Sequence, residues 1–146
     1  MKQIICKTEK DTQNFAKKLA KSLKGGEIIA LEGDLGAGKT TLIQYLAKAL
    51  NVKEKVTSPT FVLLKIYEIS NKKYGLRNLV HVDCYRLDDP QELFYLGLEE
   101  YLNKKDAVVA IEWVDKIKKY LKRFKKVIWL KIEILNKGRK LEIKKF

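Results

Sequence analysis

Cysteine is nearly absent. The chain has only Cys6 and Cys84, with neither metal-ligand nor redox spacing, so two reduced, buried thiols are expected. Long apolar runs are missing too, and none approaches the ~18 residues of a membrane span. Met1-Lys2-Gln3-Ile4-Ile5-Cys6-Lys7 is too short and too interrupted for a signal peptide. These absences set the expectation of a cytoplasmic protein away from any membrane. No repeat or low-complexity linker interrupts the 146 residues, 46% of them hydrophobic. One domain over residues 1–146 with a true core is expected.

Acidic residues are scarce, 18 against 31 Lys/Arg, and unevenly placed. Residues 116–146 carry 13 basic and 2 acidic side chains, a net of +11, while residues 1–115 net only +2. Two readings stand: a face for RNA or an acidic partner, or a lysine-rich solvated surface. The aromatics of this segment, Tyr120, Phe124, Trp129 and Phe146, fit core packing as well as base stacking.

Amid these absences stands one dense motif. Gly33-Asp34-Leu35-Gly36-Ala37-Gly38-Lys39-Thr40-Thr41 contains Gly-x-x-x-x-Gly-Lys-Thr, the phosphate-binding loop pattern. The apolar run Ile28-Ile29-Ala30-Leu31 precedes it, and Leu42, Ile43, Leu46, Ala49 and Leu50 follow at helical spacing. Strand, loop and helix thus come in the required order. Gly33, Gly36 and Gly38 permit a path that turns backbone N–H groups inward. The helix start adds open N–H groups and its positive dipole end. Lys39 would reach the β- and γ-phosphates, and the Thr40 hydroxyl would ligate Mg²⁺.

The remaining elements follow from periodicity and punctuation. Ile4-Ile5 marks a first strand. Thr8 caps a helix running to about Leu23, with Asp11 as its capping-box partner. Pro59 marks a loop, and Phe61 to Ile69 reads as a strand returning through Leu79 to Cys84. Pro90 and Gly97 open short helical pieces. Ala107 to Ile111 is unalternated and apolar, as in a strand buried on both faces. Asp115 to Leu121 reads as helix, and Val127 to Leu135 and Leu141 to Ile143 as strands around a hairpin turn at Asn136-Lys137-Gly138-Arg139. The expected fold is α/β, a P-loop NTPase-like three-layer sandwich with a mixed, mostly parallel sheet and antiparallel hairpins.

A P-loop enzyme needs a further carboxylate at a strand end to hold Mg²⁺ or align water. Asp83 and Glu112 both stand at carboxyl ends of apolar strands, where ligands bind in such sheets. His81, the sole histidine, shares a strand face with Asp83. It would orient Asp83, sense phosphate, or serve structure alone. Arg86 would pair with Asp83, meet a phosphate, or form a surface ion pair. Thr57, Ser58 and Thr60 form either a switch over the γ-phosphate or a plain turn. Trp113 either walls the site or fills the core. Asn103-Lys104-Lys105-Asp106 matches a guanine-reading motif but precedes its strand, so it reads as a turn, with adenine as the expected base.

Together these blocks resemble one family, TsaE (formerly YjeE), the small bacterial P-loop ATPases of threonylcarbamoyladenosine (t6A) synthesis on tRNA. The resemblance spans the P-loop, Ser58-Pro59-Thr60-Phe61, His81-Val82-Asp83-Cys84-Tyr85-Arg86-Leu87, Gly97-Leu98-Glu99-Glu100 and Glu112-Trp113. These run in the family's order over nearly the whole chain. Cys84 stands where the family usually has Leu, and Val114 where it usually has Pro. The resemblance implies that Thr40 and Glu112 hold Mg²⁺, that Asp83 serves hydrolysis and that residues 35–41 hold the ATP phosphates. It further implies that Glu9, Thr12, Gly138 and Arg139 flank the nucleotide. It also implies partners, the TsaD–TsaB pair, with tRNA met through that complex. In that scheme this protein hydrolyses ATP slowly and resets its partners. A small-molecule kinase and a nucleotide-gated RNA-binding module are the competing readings. Against the kinase, no insertion is long enough for an acceptor lid.

Overall fold

The computed structural model describes residues 2–59 and 61–145; Thr60 and the aromatic Phe146 lie outside the described residues. Strands β1 (Lys2–Cys6), β2 (Ile28–Glu32), β3 (Leu64–Glu68), β4 (Asn78–Asp83), β5 (Ala107–Glu112), β6 (Val127–Ile134) and β7 (Arg139–Lys145) join in one sheet. Its order is β1-β7-β6-β2-β5-β4-β3. β6, β2, β5 and β4 pair in parallel, and β3 and β7 run against their neighbours. The sheet is therefore mixed and mostly parallel, closed at each edge by antiparallel pairing.

Strand alternation assigns each side chain to a layer. Ile29, Leu31, Leu79, Val108 and Ala110 pack against α1 (Glu9–Ser22) and α2 (Lys39–Ala49). Ile28, Ala30, Val80, Val82, Val109 and Ile111 pack on the other face, against Leu93 of α3 (Gln91–Tyr95) and Leu121 of α4 (Lys118–Leu121). Both faces are covered, so β5 is buried at every position. The same alternation sends His81, Asp83 and Glu112 to the α2 side.

The expected capping box forms: Asp11 N–H donates to Thr8 Oγ1 at 3.2 Å, and Thr8 N–H donates to Asp11 Oδ2 at 3.0 Å. Three boundaries differ from expectation. The strand placed over 61–69 spans only Leu64–Glu68. Leu63 takes φ +65°, and its N–H, like that of Val62, turns back to the Pro59 carbonyl at 2.6 and 3.1 Å, so the ladder cannot start earlier. The helix over 115–121 splits into a 3₁₀ turn at Val114–Ile117 and the single turn of α4. The last strand is longer than 141–143 and takes in Arg139.

Both cysteines are buried and free. Burial, and then the Asp83 charge, push the Cys84 thiol up to about 12. The folded chain keeps this proton at pH values where the unfolded chain loses it. Its contribution to stability therefore falls as pH climbs from about 9 toward 12. Urea midpoints at pH 8 and 10 should drop less for Cys84→Ala than for the unaltered chain. Among the described residues no helix is long and apolar enough to cross a membrane.

Candidate functional site

The loop over 33–38 joins β2 to α2. Gly38 caps α2 in a left-handed conformation, φ +106°, which glycine adopts without strain. No side chain caps this end and no acid occupies the first turn. Its N–H groups and positive dipole therefore stay available to an anion. Lys39 is only 5% exposed. Its Nζ donates to the Gly33 and Asp34 carbonyls at 2.5 and 3.0 Å and lies 3.8 Å over the Trp113 ring centroid. Burial lowers the pKa of Lys39, and the charges of Glu112, Asp83, Asp34 and Asp115 oppose that shift. The ammonium thus sits among acids in a partly dry place. Trp113 is a wall of the site, with Tyr85 packed against it at a tilt, 5.0 Å between centroids.

The two strand-end acids are neighbours in the parallel register of β4 and β5. Glu112 Oε1 accepts from Thr40 Oγ1 at 2.7 Å. Asp83 Oδ2 accepts from Ser58 Oγ at 2.7 Å, and Oδ1 from the Tyr85 N–H at 2.9 Å. Ser58 is therefore tied to the site. Thr57 is tied instead to β3, its N–H donating to the Tyr67 hydroxyl at 3.3 Å.

Of the readings left open for His81, a pairing with Asp83 is not what the structure shows. Its Nε2 lies 2.6 Å from Glu112 Oε2. The register sets His81 beside Ala110, whose methyl leaves the ring room to lean along the strand to Glu112. Arg86 lies at the surface, 4.6 Å over the Phe61 ring. The segment over 103–106 is a turn at the opposite end of β5 from Glu112, as its position before the strand implied.

Glu9, Thr12, Gly138 and Arg139 meet Gly36, Ala37, Gly38 and Thr41 around a cleft of about 260 Å³. Arg139 Nε donates to the Ala37 carbonyl at 2.9 Å, tying β7 to the loop. Lys7, Thr8 and Ile132 also line this cleft, and Tyr45 donates its hydroxyl to Glu9 at 3.3 Å. Sequence reasoning missed these four. Lys7 and Thr8 adjoin Glu9 in the cap, but nothing local marks Ile132 or Tyr45. Gly138 is required by a close approach: with φ +83°, an added Cβ would meet the Cys6 carbonyl oxygen at 2.0 Å. Gly138→Ala should cost about 2–3 kcal/mol, lowering Tm by about 4–12 °C in a scanning melt.

A larger groove of about 560 Å³ lies elsewhere, against β6 and β7, where Leu121, Phe124 and Trp129 meet Lys118, Lys122, Lys131 and Lys144. None of the expected nucleotide residues lines it. Tyr120 packs at a tilt against Phe94 and Phe124, at 4.7 and 5.5 Å between centroids, as core aromatics do.

The donor set suits a small hard cation. One carboxylate and one hydroxyl stand within hydrogen-bond distance, and no group of three His, Cys, Asp or Glu side chains is poised for a metal among the described residues. Mg²⁺ is commonly held in this way, by one or two protein oxygens with phosphate and water supplying the rest.

Comparison with known proteins agrees with this architecture. The profile of the family described as "Threonylcarbamoyl adenosine biosynthesis protein TsaE" matches residues 6–142. The chain is 38% identical to the tRNA threonylcarbamoyladenosine biosynthesis protein TsaE of Aquifex aeolicus, over 96% of this chain and 92% of that one. It is 41% identical to the TsaE of Rickettsia typhi, covering 92% and 88% of the two chains. Identity to the Bacillus subtilis TsaE is 39%, over 83% and 73%. The solved structure of Bacillus subtilis YdiB superposes with a TM-score of 0.72 at 30% identity, covering 97% of this chain and 84% of that one. With the P-loop, the strand-end acids and the three-layer α/β sandwich all in place, the chain belongs to the TsaE family of t6A biosynthesis proteins.

Proposed function

We propose that this chain binds MgATP on residues 33–41 and hydrolyses it slowly in the service of t6A formation on cytoplasmic tRNA, acting with the TsaD–TsaB pair and meeting tRNA through that complex. The observation that carries the reading is the linked set Thr40–Glu112–His81 beside Lys39 at the open end of α2. Lys39 exchanges its two loop carbonyls for phosphate oxygens. Loop N–H groups bind the same phosphates without reorganising. Thr40 and Glu112 hold the cation, which when bound polarises the phosphoryl oxygens as a Lewis acid. Asp83, fixed by Ser58 and the Tyr85 N–H, aligns the attacking water. Glu9, Thr12, Gly138 and Arg139 flank the nucleoside in the cleft.

The test is incubation of the purified chain with ATP and Mg²⁺, alone and with a small-molecule metabolite extract as acceptor. Phosphate released to water supports the reading; a phosphorylated metabolite would replace it with a kinase. Pull-downs with the chain as bait, with and without ATP, test the partners. Tight tRNA binding by the chain alone that is steeply salt-dependent and survives Lys39→Ala would favour a direct RNA-binding module instead.

A further inference from the structure

His81 is fully buried, and the hydrolysis proposed above gives it no direct part. Its Nε2 meets Glu112 Oε2 at 2.6 Å, while Nδ1 has no hydrogen-bond partner among the described residues. A carboxylate oxygen only accepts, so the ring proton belongs on Nε2. A buried ring with one bare nitrogen is a costly filler, and an apolar side chain would avoid that cost. What the ring does satisfy is the carboxylate whose other oxygen takes the Thr40 hydroxyl at 2.7 Å.

We infer that His81 is a positioning residue. Its Nε2–H pins Oε2 of Glu112, which leaves Oε1 turned toward the Thr40 hydroxyl and holds that pair of oxygens ready for a divalent cation. The inference rests on Thr40 and Glu112 being the cation pair. A carboxylate with both oxygens committed cannot rotate, so little ordering remains to be done when the ion arrives. Asp83 does not supply this restraint, because a carboxylate has no hydrogen to donate to Oε2. Leu79 and Ala110, beside His81 on this face, carry no polar group that would replace it, and Lys65, opposite it on β3, gives its ammonium to Glu54 at 2.8 Å.

The experiment is calorimetric titration of the full chain with a non-hydrolysable ATP analogue, in EDTA and in Mg²⁺. It compares the unaltered chain with His81→Gln, His81→Asn and His81→Phe. The Gln amide nitrogen reaches the place of Nε2, the Asn amide stops at the level of Nδ1, and Phe fills the ring volume with no donor. The gain in affinity brought by Mg²⁺ should stay within about threefold in His81→Gln and shrink about 10–100-fold in the Asn and Phe variants. Affinity in EDTA should be the same in all four proteins. The Phe variant carries the result if Asn fails to fold. An undiminished Mg²⁺ gain in the folded Asn or Phe variants would overturn the inference. So would an equal loss in EDTA and in Mg²⁺, the mark of a merely structural histidine. No Mg²⁺ gain in the unaltered chain would remove the cation pair, and this inference with it.

Discussion

Lys39→Ala is expected to abolish ATP hydrolysis while the fold persists. The ammonium is buried against the loop, at 2.5 and 3.0 Å from two of its carbonyls. Removing a preorganised donor of transition-state charge costs about 10²–10³ in rate, and here the ground-state phosphates lose their counter-charge as well. The fold should survive because α2 is anchored elsewhere, through Leu42, Ile43, Leu46 and Ala47 in the core. The Gly33 and Asp34 carbonyls lie in a loop at the mouth of the sheet, where water can replace the lost donor. Phosphate release and a thermal melt on the same sample check both halves. Turnover at the unaltered rate would refute the site assignment.

Glu112→Ala should weaken Mg²⁺-dependent nucleotide binding about 10–100-fold, whereas Asp83→Ala should leave binding nearly intact and lower turnover about 10²-fold or more. The difference follows from their partners. Glu112 bonds the Thr40 hydroxyl, next to Lys39 in the chain. Asp83 bonds Ser58 on the neighbouring loop, one strand further from the P-loop. In the proposed mechanism, losing the first would remove a metal-side oxygen, and losing the second would free a loop and the attacking water. Titration and single-turnover hydrolysis separate the two effects. Equal or reversed losses would mean that the acids have exchanged roles.

Much of this was legible along the chain. The capping box at Thr8 and Asp11 depends on residues three apart, and the P-loop on eight consecutive ones. Asp83 and Glu112 were legible because a buried strand ends visibly in the sequence. The false extension of β3 to Phe61 shows where such reasoning fails. The stretch over 61–64 is as apolar as any strand, yet the Pro59 carbonyl captures two of its N–H groups. Hydrogen-bond competition of that kind leaves no mark in hydropathy.

The sequence by itself determined most of the elements, the glycine-rich loop and the two acids that end their strands, because each is written within one short stretch of chain. Only the tertiary structure decided that His81 serves Glu112 rather than Asp83, that Ser58 holds Asp83, and that Arg139 clasps a loop about a hundred residues away. Those pairings depend on strand order and register. Both are settled by burying two faces of one sheet at once, so no short stretch of chain contains them.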